Sequence, residues 1–303
     1  MALHAPHIGS AGLSGILLAA TSFAFATGCD TILKLLAAGH PGYQLLAMNG
    51  LFALIPIFVR AYLTGGPSSL ATPRPLLHAI RGTMGALSAL AAIFAYSRLS
   101  LTGFYAIVFA GPLLVTLLSA LALHEHVDRA RWIAIGAGFV GILVVINPFQ
   151  PMHAGATMGS LMIGRLAAFA SVFCYAVSVI MVRRMRSGDN SMTFSFFGYI
   201  VSIAMGLLLW LLFDTPDLSF GDIAHLFCSG ILGGIGSLCL MEAYHRAPIA
   251  MVAPFQYTQI FWGALASYAL WNIPPGSSLI AGASIVAASG LFIIYRDMRG
   301  KTV

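Results

Sequence analysis

Apolar residues in this chain fall in runs of about 20, divided by short polar breaks and free of the strict alternation that marks a half-buried strand. A run of that length crosses a hydrocarbon core of about 30 Å as a helix, whereas a barrel strand needs only about ten alternating residues. Reading from breaker to breaker predicts ten helices, at 12–36, 43–62, 76–97, 103–123, 132–146, 159–181, 192–213, 221–244, 250–271 and 279–295. The breaks are built from turn formers, among them His40-Pro41-Gly42, Gly65-Gly66-Pro67, Gly188-Asp189-Asn190 and Pro274-Pro275-Gly276. No soluble domain fits between them.

The pattern then repeats itself. Ala95-Tyr96-Ser97-Arg98 returns as Ala243-Tyr244-His245-Arg246 at an offset of 148, and Gly141-Ile142-Leu143 returns as Gly290-Leu291-Phe292 at 149. Upstream, Ala19, Ala20 and Phe25 meet Ala167, Ala168 and Phe173. The chain therefore divides into two five-helix repeats, 1–148 and 149–303.

Composition agrees with the spans. With 59% hydrophobic and 8% charged residues, the chain lies far from the roughly 25% charged residues of soluble proteins and is expected to be an all-α integral membrane protein. Its net charge of +6 would suggest nucleic acid in a soluble protein, but the basic residues here fall in short loops, where they set topology. With the amino terminus cytoplasmic, twelve of the fifteen basic residues share one side, and Lys34, Arg98 and Arg165 occupy the other. Both termini are then cytoplasmic. Five spans per half make the second repeat enter upside down, and inverted repeats place a substrate site near the midplane, with alternating access. No Lys or Arg precedes the first run, so it lacks the basic start of a cleaved signal peptide and is expected to remain as a helix. Short loops and no targeting segment point to a bacterial inner membrane. Cys29, Cys174, Cys228 and Cys239 lie inside apolar runs without metal-ligand spacing and are expected to act as small hydrophobes.

Several residues together resemble a known family. Asp30 and Lys34 end helix one, Arg81-Gly82 opens helix three, and Ala95-Tyr96-Ser97-Arg98 closes it. Ala110-Gly111-Pro112 lies in helix four, Glu125 closes that helix, and Gly136, Gly138, Gly141 and Ile142 pattern helix five. In order and spacing these resemble the EamA family of the drug/metabolite transporter superfamily, over essentially the whole chain. The second copy departs from the pattern, with Asn272 near the place of the acidic helix end. The resemblance implies a secondary transporter without a cofactor, most similar to exporters of aromatic and other neutral amino acids. The lipid bilayer and a small molecule are then the expected partners, with no nucleic acid and no metal; no oligomeric state is specified.

A zwitterionic solute needs a donor for its carboxylate, an acceptor for its ammonium and an apolar cavity for its body. Arg81 and Arg165 enter the apolar spans and could clamp a carboxylate or simply snorkel to the interface. Helix nine carries Gln256, Tyr257, Gln259 and Trp262, and helices three, four and six add Tyr96, Tyr105, Phe109, Tyr175 and Ser178 as cavity candidates. Asp30 with Lys34, and Glu242 with Arg246, stand four apart with the acid first, as self-neutralising pairs or as coupling and gating groups. Pro112 frees a backbone carbonyl in mid-span, which makes a hinge or a bend. Two alternatives remain. Efflux of organic cations would call for an aromatic cage around an unpaired carboxylate. An intramembrane enzyme would need converging catalytic groups, and His124-Glu125-His126 lacks helix-borne zinc spacing.

Overall fold

The computed structural model describes residues 10–122, 132–133, 136–137, 140–141, 144, 158–185, 189–246 and 253–300. Most of the predicted fifth span, with Glu125, lies outside them. The described regular structure is all helical: α1 (Ser10–Leu36), α2 (Gly42–Thr64), a 3-10 turn (Pro67–Leu70), α3 (Pro75–Tyr96), α4 (Leu101–Val108), α5 (Gly111–Ala122), α6 (Met158–Met185), α7 (Ser191–Leu212), α8 (Phe220–Arg246), a second 3-10 turn (Ala253–Tyr257), α9 (Thr258–Trp271) and α10 (Ser277–Gly300). Among the described residues, five helices are long and apolar enough to cross a membrane: Gly42–Thr64, Pro75–Tyr96, Met158–Val182, Met192–Leu212 and Phe220–Leu240.

Local chemistry sets the ends. Pro75 occupies the first turn of α3, where its missing N–H costs nothing. The Ser100 hydroxyl caps α4 by accepting from the Gly103 amide at 3.1 Å, and the Asn190 side chain caps α7. Asn272 closes α9 in the left-handed region at φ 52°, a conformation that Asn tolerates and most residues avoid. The departure noted in the second repeat is thus a helix stop.

Two predicted spans are interrupted, which corrects the sequence reading of 103–123 and 250–271 as continuous helices. The first breaks at Phe109 and Ala110, because Pro112 has no N–H to offer the Val108 carbonyl and its ring crowds that position. The Ala110 amide turns back three residues to the Ile107 carbonyl, and α5 begins one residue on. The second span opens as the 3-10 turn containing Pro254 and becomes α-helical at Thr258. An offset of 148 carries Phe109 onto Tyr257, so the two breaks fall at the same place in the two halves.

The helices form a closed ring. Going round it, α1 packs on α8, α8 on α2, α2 on α7, α7 on α3, α3 on α6, α6 on α4 and α5, α4 on α9, and α9 on α1. Exchanging the halves (α1 for α6, α2 for α7, α3 for α8, α4 and α5 for the second broken helix) leaves this order unchanged. A serine hydroxyl bonds a backbone carbonyl across each of the two equivalent contacts, with the donating helix exchanged: Ser22 of α1 donates to the Gly236 carbonyl of α8, and Ser88 of α3 donates to the Ser171 carbonyl of α6, both at 2.8 Å.

Close packing along the ring depends on absent side chains. A Cβ on Gly234 would stand 2.5 Å from the Ala53 carbonyl oxygen of α2, and one on Gly206 would stand 2.7 Å from the Tyr43 carbonyl oxygen. Backbones approach here as they do wherever small residues line helix contacts in lipid. Large apolar side chains such as Tyr62, Leu63, Leu211 and Phe261 project outward.

The turn before α7 is pinned from two sides. The Thr72 hydroxyl donates to Asp189 at 2.7 Å, and this bond, with His78 adjacent, holds the carboxyl below the ordinary carboxylate range. A lowered folded-state pKa stabilises the protein above the unfolded value of about 3.9, and that gain is lost as pH falls through the folded value. Asp189→Asn is expected to lower Tm by a few degrees at pH 7, and the gap from the parent protein should close as pH drops below about 4. Melting curves in detergent across that range check this; a gap constant with pH would contradict it.

Candidate functional site

Asp30 lies at the centre of the buried face of α1, among Phe23, Thr27 and Leu33, yet it is only half-buried. The Tyr105 hydroxyl of α4 donates to its Oδ2 at 2.7 Å, and the Tyr96 hydroxyl of α3 bears on the same carboxyl. Tyr105 reaches it because Gly263 of α9 leaves room for the ring; a Cβ there would stand 2.5 Å from Tyr105 Cδ2. Sequence, packing and chemistry meet at this point.

The i, i+4 spacing predicts that Lys34 neutralises Asp30. The structure shows otherwise. Lys34 Nζ donates to the carbonyls of Tyr96 at 2.7 Å and Leu99 at 2.6 Å, and it lies 5.1 Å from the Trp271 ring centre. The end of α3 carries carbonyls with no amide to bind and the negative end of a helix dipole, so it competes successfully for the ammonium. Among the described residues Asp30 therefore has no ion-pair partner. Glu242 does pair with Arg246, at 2.8 Å, and Arg60 of α2 stands 3.7 Å away, in a partly exposed cluster at the far end of α8.

The second helix break lies beside α1, and the first follows α4, which meets α1 at the Tyr105–Asp30 bond. Phe109 and Tyr257, the residues at the breaks, touch edge to face with ring centres 4.8 Å apart, and the Tyr257 hydroxyl is buried without a hydrogen-bond partner. A new helix begins at each break, α5 at Gly111 and α9 at Thr258; in α5 Pro112 has no amide to offer and the Leu114 amide is already bonded to the Ala110 carbonyl. Below Thr258 the buried face of α9 runs Gln259, Gly263, Ser267, with Ser267 3.4 Å from Thr102 of α4.

The remaining candidates separate. Tyr175 lies on the same face of α6 as buried Ser171, Val172 and Ser178, and it is 41% exposed. Arg165 belongs to the same helix, and one of its guanidinium nitrogens is buried with no hydrogen-bond partner. The adjacent Gly164 lies against Arg98 and Leu99, which sets Arg165 at the level of Lys34. Arg81 is committed elsewhere: its guanidinium donates to the Phe194 carbonyl and lies over the Phe194 ring, while its own carbonyl accepts from Ser178 at 3.5 Å. Gln256 is half-buried in the 3-10 turn, and Trp262 meets the outward Phe261 edge to face at the margin of the buried stripe. Pro112 acts through the backbone, as the cause of the first break. A hollow of about 380 Å³ bounded by Phe58, Val59, Tyr62, Leu63 and Pro67 opens on the outer side of α2 with almost no polar lining, and it is not this site.

Comparison with known proteins adds four findings. The profile of the EamA-like transporter family matches twice, at residues 12–147 and 162–296. The S-adenosylmethionine uptake transporter of Rickettsia bellii is 26% identical over 299 residues, covering 97% of this chain and 96% of the relative. The riboflavin transporter of Rhizobium johnstonii is 25% identical over 234 residues, covering 77% of this chain and 75% of the relative. A crystal structure 20% identical in sequence superposes with a TM-score of 0.62 over 94% of this chain and 96% of that one, a likeness of fold.

Proposed function

Since the chain belongs to the EamA-like transporter family, we propose that it is a secondary transporter of a small zwitterionic metabolite carrying an α-amino-acid head and an apolar or ring-bearing body. Two inverted halves, 1–148 and 149–303, with both termini cytoplasmic, enclose the solute between them at the midplane and expose it to one side at a time. The family assigns transport rather than catalysis.

The observation that carries this reading is the Asp30 carboxylate, half-accessible, held by a tyrosine hydroxyl and free of any cation among the described residues. A carboxylate so placed accepts an ammonium. The start of α9, the positive end of a helix dipole beside α1, supplies amides for the solute carboxylate, and Arg165 is a second candidate donor. Phe109, Tyr175 and Tyr257 offer ring faces for the body.

Neutral and aromatic amino acids, the class implied by the sequence resemblance, carry this head group, and so does S-adenosylmethionine, named for the Rickettsia bellii relative. The shared head group supports one recognition mode for both. Export and uptake use the same cycle, since a reversible alternating-access carrier runs in the direction its gradients set. A second reading, efflux of organic cations, gains from the separation of Lys34 from Asp30, because an unpaired carboxylate among aromatic rings also suits a quaternary ammonium.

Melting of the detergent-purified protein separates the two. S-adenosylmethionine, phenylalanine and methionine are expected to raise Tm, and their N-acetyl or amide derivatives are not. Stabilisation by tetraphenylphosphonium alone would replace the first reading with the second.

A further inference from the structure

Two His–Asp contacts lie away from this site. His40 Nε2 stands 3.3 Å from Asp222 Oδ2 and joins the turn between α1 and α2 to the first turn of α8. His78 Nε2 stands 3.3 Å from Asp189 Oδ2 and joins the first turn of α3 to the turn between α6 and α7. An offset of 149 carries His40 onto Asp189, and exchanging the halves carries α8 onto α3. The two contacts thus occupy one place in the two halves, with acid and base exchanged.

A second pair of bonds follows the same rule. Gln44 Nε2 near the start of α2 donates to the Pro216 carbonyl ahead of α8 at 2.9 Å, and Thr193 Oγ1 near the start of α7 donates to the Ser69 carbonyl ahead of α3 at 3.4 Å. The 149 offset carries Gln44 onto Thr193. His has become Asp and Gln has become Thr, so simple copying of residues does not explain the match. What the halves share is the connection.

We propose that these are two clamps, one at each membrane face, that hold α8 on α2 and α3 on α7 throughout the transport cycle. The inference rests on the alternating-access reading above. Helices α2, α3, α7 and α8 then move as one slab, and access changes on the far side of the ring, where the broken helices meet.

The packing supports that division. Within the slab, Gly230 and Gly234 of α8 lie on the α2 backbone, and Gly82 of α3 lies against Val201 and the Phe197 carbonyl of α7, contacts that cannot slide without collision. The far side is joined by side chains, the Phe109–Tyr257 ring contact and the Thr102–Ser267 contact, which separate without disturbing a backbone. The His78 and Asp189 side chains are fully buried, and the imidazole packs against the rings of Phe194 and Phe197 with centres 4.8 and 5.0 Å away, so opening this contact each cycle would mean unpacking both rings.

The test crosslinks one clamp. With Cys174, Cys228 and Cys239 replaced by serine and buried Cys29 kept, His40→Cys/Asp222→Cys is joined by a short bis-methanethiosulfonate, which forms a disulfide to each cysteine with loss of sulfinate, and reconstituted. Exchange of labelled phenylalanine or S-adenosylmethionine is expected to stay within about twofold of the unjoined protein. A loss of about tenfold or more that a reducing agent reverses would overturn the proposal and make the pair a gate. Melting decides the clamp independently of any solute: Asp222 Oδ2 also accepts from the Ser219 amide at 2.9 Å and the Ser219 hydroxyl at 2.7 Å, so the clamp is read as a coupling, with His40→Ala expected to lower Tm in the parent and to leave Asp222→Ala unchanged. An equal loss in both backgrounds, or no loss in the parent, would overturn the clamp. If no form exchanges solute while the coupling is present, the transport reading is what fails.

Discussion

Asp30→Asn is expected to reduce solute exchange by roughly 30- to 1,000-fold while leaving Tm within a few degrees of the parent protein. Asparagine keeps the shape of the side chain and an oxygen that accepts from the Tyr105 hydroxyl, so the 2.7 Å link between α1 and α4 survives. What disappears is the negative charge. Truncating one partner of a desolvated charge pair costs about 2–4 kcal/mol, and each 1.4 kcal/mol is tenfold. The loss should fall on solutes with a free ammonium. Tracer exchange in proteoliposomes, with the melting curve as control, reads both quantities. Exchange within twofold of the parent would leave Asp30 a structural acceptor and nothing more.

Gly234→Val is expected to abolish the folded protein, and Gly234→Ala to lower Tm sharply. Gly234 meets α2 where a Cβ would stand 2.5 Å from both the Ala53 carbonyl oxygen and Pro56 Cγ. Neither neighbour can yield: one is backbone, the other a ring fixed in a helix. Overpacking by one methyl costs about 1–3 kcal/mol when the surroundings can adjust. Here α8 must move off α2, and α8 also carries the α1 contact of the ring. Gly85, where an added Cβ meets nothing within 4 Å, is the matched control: Gly85→Ala should fold normally. Size-exclusion profiles of the three variants check this, and a monodisperse Gly234→Val would contradict the packing account.

Much of the fold was legible because helices in lipid must satisfy their own backbones, which makes apolar run length a strong signal. The spans at 43–62, 76–97, 159–181 and 192–213 differ from α2, α3, α6 and α7 by a few residues at most. Pro112 announced its break. Pro254 is an equal signal in the second half, hidden by an apolar run that continues through it. Asp30 and Tyr105 were both candidates, yet their bond spans 75 residues and needs the space left by Gly263, which no local pattern contains.

Lys34 shows how a local rule loses to a tertiary competitor. Spacing of four favours an ion pair by a few tenths of a kcal/mol, whereas two unsatisfied helix-end carbonyls offer two charge-assisted bonds. That one displacement changes the chemistry of the site, from a neutralised pair to a carboxylate with no cation beside it among the described residues. The His–Asp clamps were invisible for a related reason: the sequence repeat preserves position, while acid and base trade places.

Counterflow in proteoliposomes tests the central claim most directly. Vesicles are loaded with unlabelled S-adenosylmethionine or phenylalanine, and uptake of the labelled solute is followed without an imposed gradient of any other ion. The account predicts transient accumulation, displaced by other solutes with an intact α-amino-acid head and undisturbed by N-acetylated or amidated analogues. Accumulation displaced equally by riboflavin or by organic cations without that head would contradict it.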